Sequence, residues 1–563
     1  MSRSAVEEVT GKLPKAVVSS HDHRGDDTLV VQAKQFGEVM DLLKGSLHFD
    51  MLVDVCGADY LGRRPDKERF EVVYHLLSTR TWKRVRVKVP LPAQKPTVDT
   101  MSARWPLADW FEREVFDMYG VAFKDHPDLR RLLCHRDFPG HPLRKDYPKE
   151  GRPAQVITEP VPLEEHGFLP ITLPNGSQTV PINFGPAHPI THGVLRIQMQ
   201  LDGETIVKSD TEIGYLHRCM EKEAENTHWD GVIPYCDRLN YCSTQMNTLG
   251  YCMAVEKLAG IEVTERAKVL RVIVNELGRI MDHCVCLGPN IIDLGALTPY
   301  WYFFQLREVL LDIMDRLSGS RMTNSYVRIG GLARDVYDGF TDDVRAVGPV
   351  LERVLRDIRD LVAKNRIFLD RTVGVGCISR DQAVAYGLSG PMARASGLEY
   401  DIRKVYPYYH YDEFEWEMVV GVAGDTHDRI MCRFEEMWQS WKIVQQALEA
   451  LPDGPVNIDR PDLIRRPLPE VHANIEALAG HFMHVINGPK VPDGEAYGYH
   501  EAANGELGFY LVSDGSGTPH RVHCRAPCLA AMQVFDPIVE GHMIADASAF
   551  LGSLNIIAGE LDR

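Results

Sequence analysis

Apolar positions recur along this chain in two rhythms. Near the N-terminus the period is two: Val85, Val87 and Val89 alternate with Arg84, Arg86 and Lys88. That pattern predicts a strand with one apolar and one polar face, and residues 70–77 read as a neighbouring strand. The run WPLADWFEREVFDMYGVAF then sets Trp110, Val115, Met118 and Tyr119 at near-helical spacing, with Glu112, Arg113 and Glu114 opposite. Residues 1–147 are therefore expected to form an α+β domain. Its end, HPDLRRLL followed by GHPLRKDYP, holds no period and reads as a solvated loop or as a docking strap.

From Thr244 onward the helical period takes over. Ala267, Leu270, Val274, Leu277, Met281 and Cys284 trace one face; Phe303, Leu306, Leu310, Met314 and Leu317 a second; Val347, Val350, Val354, Ile358 and Leu361 a third. Such stripes predict a bundle of long amphipathic helices. Strands at 194–201 and 508–513 are expected to form a small sheet beside it. Pro153, Pro160, Pro162, Pro170 and Pro174 punctuate a stretch without apolar period, so residues 148–180 read as an extended, Pro-rich linker. The expected fold class is multidomain: an α+β domain over 1–147, a linker over 148–180 and a mainly α-helical bundle with small flanking sheets over 181–563.

A length of 563 residues with 44% hydrophobic content supports more than one core. The formal charge of −17 argues against nucleic acid as a partner, since phosphate binding needs concentrated positive charge. No basic-then-apolar leader and no run of about 18 uncharged apolar residues is present, so the chain is expected to be neither exported nor membrane-spanning, though partners could hold it at a membrane. The 12 cysteines are scattered. The close pairs Cys236 with Cys242, Cys284 with Cys286 and Cys524 with Cys528 lack the two-residue gap with which paired thiolates grip a metal, and none is expected here.

The densest chemistry lies between Asn183 and Tyr241, which opens NFGPAHPITHG and closes PYCDRLNY. Pro186, Pro189 and Gly193 favour a tight loop around His188 and His192. Asp237, Arg238, Asn240 and Tyr241 are expected to open a long helix. Histidines in such loops commonly serve only to fix the backbone. Facing a tyrosine, however, they would supply what two-proton reduction of a quinone requires, one donor at each carbonyl oxygen. Tyrosine, with a pKa near ~10, is a neutral donor at physiological pH, and histidine near ~6.5 can hold or release its proton there. Asp293 interrupts an apolar loop in IIDLGALTPYW, where an acid ordinarily caps a helix or anchors backbone. Arg394, Arg403 and Lys404 read as a solvated charged turn, or as charge compensation along an inter-subunit surface.

The motifs GPAHPITHGV, GYLHR with Glu221 and Lys222, DRLNY, AVEKL and IIDLGALTP together resemble the quinone-site, D-type subunit of NADH:quinone oxidoreductase, respiratory complex I. The stretch 389–438 and the ending GSLNIIAGELDR are similar to the same subunit, whereas WFEREVFDMYGVAFKDHPDLRRLL and GHPLRKDYP resemble the C-type subunit. The resemblance implies a fused C-and-D polypeptide whose second part has the fold of a nickel–iron hydrogenase large subunit. It implies Tyr241 and His192 as proton donors to quinone, Asp293 as the partner of His192, and His188 and Gly193 as parts of the quinone loop. Arg218, Arg238 and Thr323 would lie near an iron–sulfur cluster held by a neighbouring B-type subunit. No cofactor is expected on this chain itself; quinone is the substrate, and NADH is used by the complex.

Further implied partners are an I-type ferredoxin-like subunit, H-type and A-type membrane subunits and the rest of the peripheral arm. The implied site of action is the cytoplasmic face of the bacterial inner membrane, with electron transfer coupled to proton translocation. Three positions depart from the family pattern: Ala187 replaces a usual glutamine, Asn555 a usual aspartate and Thr323 a usual histidine. A hydrogenase is the competing enzyme reading, but it needs two CxxC pairs and the chain has none. An inert assembly scaffold is the third.

Overall fold

A computed structural model describes residues 5–148, 169–174, 176–188, 191 and 193–563. Strands β1 (Val17–His21), β2 (Thr28–Val31), β3 (Met51–Asp59), β4 (Phe70–Leu77) and β5 (Arg84–Leu91) form one sheet in the order β1-β2-β5-β4-β3. Only β2 and β5 run parallel. Helix α1 (Ala108–Tyr119) packs on β3 through Phe111, Val115 and Met118.

The alternation in β5 predicts one polar face, but that face is not solvated. Arg86 and Lys88 are buried, because the second half of the chain lies against them and brings its own acids. Arg84 makes a bidentate pair with Glu506 at 2.8 and 2.6 Å, and Lys88 reaches Glu495 at 2.5 Å and Glu71 at 2.8 Å. On α1, Glu112, Arg113 and Glu114 are also buried: Glu112 accepts from Tyr74, Thr100 and the amide of Met101 within the first half, and Glu114 pairs with Arg563 of the second. The basic run 125–148 is a strap onto the second half rather than a free loop. Lys145 bonds Glu225 at 2.7 Å and the carbonyl of His520, and Lys222 donates to the carbonyl of Arg144.

Residues 149–168, most of the expected linker, lie outside the described residues. Its described end folds back, with Thr172 bridged antiparallel to Gln178. Strands β6 (Val180–Phe184), β7 (Arg196–Asp202) and β8 (Thr205–Glu212) form one antiparallel sheet; β9 (Gly494–Ala502), β10 (Gly505–Ser513) and β11 (Arg521–Arg525) form another. The strands near 194–201 and 508–513 therefore belong to two sheets, not to the single one expected. Each is completed by its own sequence neighbours.

The bundle is built on α2 (Thr244–Ala259), α3 (Glu265–Asp293), α4 (Thr298–Ser318), α5 (Phe340–Val362) and α6 (Thr426–Glu449). Thr264 caps α3 by accepting from the amide of Ala267, and the 29 residues of α3 give it a length of about 43 Å. It contacts α2, α4 and α6, and α4 contacts α5. The predicted faces of α3 and α4 are buried. On α5 the stripe ends early, since Leu361 is exposed. Helices α7 (Ile544–Leu554) and α8 (Ala558–Asp562) close the chain.

Arg394 and Arg403 correct the reading of a solvated turn or inter-subunit surface: both are fully buried. Arg394 pairs with Glu436 and Glu501, Arg403 with Asp401 and Glu276, and Arg279 with Glu276, so the charges compensate one another inside the bundle. No described helix is long and apolar enough to cross a membrane.

Candidate functional site

The turn that carries Tyr241 is fixed from below. Tyr241 precedes α2 by three residues and does not lie within a long helix; DRLNY is a run of turns and bends between the short helical turn Ile233–Cys236 and Thr244. One carboxylate oxygen, Oδ2 of Asp282 on α3, accepts from Nδ2 of Asn240 at 2.6 Å and from Oγ of Ser243 at 2.8 Å, so both flanks of Tyr241 are tied to one atom. Asn240, Ser243 and Asp282 are buried, while Tyr241 is 38% exposed. Burial, then the neighbouring Cys242 and Asp282, push the phenol's pKa up against the pull of Arg307 on α4. A phenol so placed stays protonated at neutral pH and can donate.

The loop between β6 and β7 holds the predicted histidines. His188 is half-buried; its ring lies 5.3 Å from that of Phe184, and its carbonyl accepts from the amide and the hydroxyl of Thr191. The same hydroxyl reaches the carbonyl of Gly193 at 2.9 Å. His192 lies outside the described residues, and so does any pairing of it with Asp293. Asp293 is the last residue of α3 and not part of an apolar loop, because the helix continues through Pro289. It is half-buried, and the eleven-residue separation from Asp282 places it about 16 Å further along the helix.

The C-terminal stretch joins these pieces. Nδ2 of Asn555 donates to Oδ1 of Asp282 at 2.8 Å. A Cβ on Gly193 would stand 2.9 Å from that of Ala558, and a Cβ on Gly559 would stand 2.6 Å from the carbonyl oxygens of Arg238 and Leu239. Asp562 accepts from the amides of Gly214 and Leu216 at 2.9 and 2.7 Å, and its carbonyl meets Nδ1 of His217. Gly193, the GYLHR motif and the DRLNY motif thus all rest on residues 555–562. Within this stretch Glu560 is fully buried, which pushes its pKa up to about 7.

Arg218 donates to the carbonyl of Arg238 at 2.7 Å, and both side chains are exposed. Asp237 accepts from the amide and hydroxyl of Ser325 at 2.9 and 2.6 Å, and Thr244 donates to the carbonyl of Met322. The loop holding half-buried Thr323 therefore adjoins the segment holding Arg238. His283, by contrast, is committed to Glu436 at 3.0 Å inside the bundle. Sequence reasoning missed Asp282, Arg307 and Glu560, and gave Asn555 no contact. All 12 cysteines are free thiols.

Residues 29–153 match the family model of the 30 Kd subunit of respiratory-chain NADH dehydrogenase, and residues 293–563 that of its 49 Kd subunit. The C/D subunit of NADH-quinone oxidoreductase from Bdellovibrio bacteriovorus is 44% identical over 539 residues, covering 96% of this chain and 95% of its own length. The C/D subunit from Nitrosospira multiformis is 41% identical over 96% of this chain and 92% of its own length. The first D-type subunit of the enzyme from Sorangium cellulosum is 49% identical over 388 residues, 69% of this chain and 96% of its own length.

Proposed function

Since this chain belongs to the family of fused C/D subunits of NADH-quinone oxidoreductase, we propose that Tyr241 and the 183–194 loop form the site at which that enzyme reduces quinone. The observation that carries the reading is Tyr241 itself, a half-exposed, protonated phenol on a buried, hydrogen-bonded base. Reduction adds two electrons and two protons to the quinone. Tyr241 gives its hydroxyl proton to one carbonyl oxygen and His192 gives a proton to the other, with His188 and Gly193 shaping the loop and Asp293 balancing charge behind His192. Each donor is refilled from solvent before the next turnover.

The electrons arrive from an iron–sulfur cluster in a neighbouring B-type subunit, and the exposed guanidinium groups of Arg218 and Arg238 face it, where positive charge favours the reduced cluster. Residues 1–147 act as the C-type assembly domain, 148–180 as the connection and 181–563 as the D-type quinone domain. The I-, H- and A-type subunits hold the chain against the cytoplasmic face of the inner membrane, and charge changes at Asp293 and His192 pass to the membrane arm as proton translocation.

Replacing Tyr241 with Phe removes one hydroxyl at nearly constant volume. In membranes holding the assembled complex, quinone reduction should fall by about two orders of magnitude, the scale of a lost general acid, while NADH oxidation by ferricyanide is unchanged. Normal turnover at saturating quinone would remove Tyr241 from the mechanism.

A further inference from the structure

The clamp beneath Tyr241 has a chemistry of its own. Asp282 is 1% exposed and pairs with no cationic side chain among the described residues, yet its two oxygens receive three donors. A carboxylate that accepts at both oxygens in this way is an acceptor throughout, with no proton of its own to give. Oδ2 ties Asn240 and Ser243, the residues on either side of Tyr241 and Cys242. Oδ1 takes one hydrogen of the Asn555 amide, whose other hydrogen goes to Oδ1 of Asn504. Asn555 is the left-handed residue, φ 55°, at which α7 stops and the chain turns toward α8. Asn240 is held again from behind, since its Oδ1 accepts from the amide of Cys242 and its carbonyl from Asn247.

We propose that Asp282 is a positioning residue for quinone reduction: its carboxylate, kept as a pure acceptor by the Asn555 amide, fixes the direction in which Tyr241 presents its hydroxyl. The proposal rests on the reading of Tyr241 as a proton donor. Asp282 does not touch substrate and passes no proton. It couples the orientation of the tyrosine to the C-terminal stretch on which the quinone loop rests.

The chemistry predicts how the clamp fails and how it is repaired. In Asp282→Asn the new amide turns its oxygen to Asn240 and Ser243, which sets its NH2 against the NH2 of Asn555, donor against donor; relief would require the amides of both Asn555 and Asn504 to turn over, at the cost of the contacts of Asn504 Nδ2 with Cys528 and Glu560. In the exchange variant Asp282→Asn/Asn555→Asp the amide oxygen still accepts from Asn240 and Ser243, and its NH2 now meets a carboxylate. Asn504 satisfies the remaining oxygen by rotating its own amide.

The test uses membranes containing the whole complex, with a short-chain quinone as acceptor and ferricyanide reduction as the measure of assembly and upstream electron flow. Asp282→Asn should lower kcat for quinone by about tenfold with KM nearly unchanged, as expected for a donor displaced by a fraction of an ångström. The exchange variant should return kcat to within about threefold of the parent, and Asp282→Asn should have no further effect in a Tyr241→Phe background, because coupled residues are not additive. Full activity of Asp282→Asn overturns the proposal, as does an equal loss in the parent and Tyr241→Phe backgrounds, which would make Asp282 independent of the tyrosine. An exchange variant as poor as the single variant overturns it too, since the charge at 282 rather than the clamp would then matter. Unchanged turnover in Tyr241→Phe alone strikes the underlying reading instead. Should Asp282→Asn fail to assemble, Ser243→Ala removes one donor of the clamp, and undiminished kcat there overturns the proposal equally.

Discussion

Nε2 of His523 stands 3.0 Å from Oδ2 of Asp54, inside the seam between the two halves of the chain. Its other ring nitrogen lies 2.9 Å from Oε1 of Glu221. Burial alone would drive the imidazole to its neutral form, but the two carboxylates win and push its pKa up to about 9. A charged histidine thus joins β3 of the first half to β11 of the second.

The sign of the pH dependence follows. A histidine whose folded pKa exceeds its unfolded value of about 6.5 contributes stability that is complete below that value and lost as pH rises through the folded pKa. The midpoint of thermal unfolding should therefore decline from about pH 6.5 to about pH 9 and beyond, on the order of 3 kcal/mol being at stake. Asp54→Asn should lower the melting temperature at pH 6 and flatten that decline. A melting profile in this window that is the same for Asp54→Asn and the parent would show that the pair adds nothing to the seam.

The halves should also remain together without their covalent connection. A specific protease site placed between Pro153 and Pro174, once cut, should leave both fragments co-eluting, because the seam holds the Arg84–Glu506 pair and the buried Lys88–Glu495 pair as well as shared apolar core. Arg84→Ala takes the guanidinium from the buried Glu506 carboxylate and leaves it the hydroxyls of Tyr400 and Tyr497, a loss on the order of 3 kcal/mol for a broken, largely buried pair, and should let the cut fragments separate. Separation of the cut parent chain would show that the connection itself holds the assembly.

Much of this interface was half visible in the sequence. The apolar alternation of β5 was legible, and so was the polar one. What stood opposite was not, since Glu495 and Glu506 follow Lys88 and Arg84 by 407 and 422 residues, a separation no local pattern spans. Arg394 and Arg403 misled for the same reason: a cluster of charges reads as surface until its counter-charges on Glu276, Glu436 and Glu501 are placed. In the proposed site, the clamp around Tyr241 was not legible. Asp282 draws its donors from two other segments of the chain, and an acid on a helix face carries no local mark of the hydrogen bonds it will receive.

Gly559 offers a steric test of the C-terminal stretch as the seat of the site. A methyl group there would meet the carbonyl oxygens of Arg238 and Leu239 at 2.6 Å, well inside van der Waals contact, and backbone on both sides leaves nothing flexible to yield. Gly559→Ala should displace the Tyr241 turn and reduce quinone turnover by about tenfold or more, with ferricyanide reduction intact. Gly480→Ala, where nothing lies within 4 Å of the new Cβ and the backbone is helical, is the matching control. Equal effects of the two would detach the C-terminal stretch from the site.

Thr323 and Asp237 together decide how the proposed neighbouring cluster responds to pH. A threonine hydroxyl does not titrate near neutrality, so position 323 itself can offset no added electron. The adjoining carboxyl can. Burial pushes the pKa of Asp237 up to about 6, against the hydrogen bonds from Ser325 and the charge of Arg238, and its Oδ1 has no hydrogen-bond partner among the described residues. An electron on a nearby cluster adds negative charge, which raises that pKa further and draws in a proton. The expected midpoint potential is flat above about pH 8, where Asp237 stays ionised in both redox states, and rises as pH falls toward about 6, with a slope below the one-proton limit of ~59 mV per pH unit. Asp237→Asn should flatten the profile, and Thr323→His should bring a steeper slope centred nearer neutrality. Redox titration of the cluster signal at several pH values separates the cases: a slope that survives Asp237→Asn assigns the proton to another group and removes Asp237 from the response.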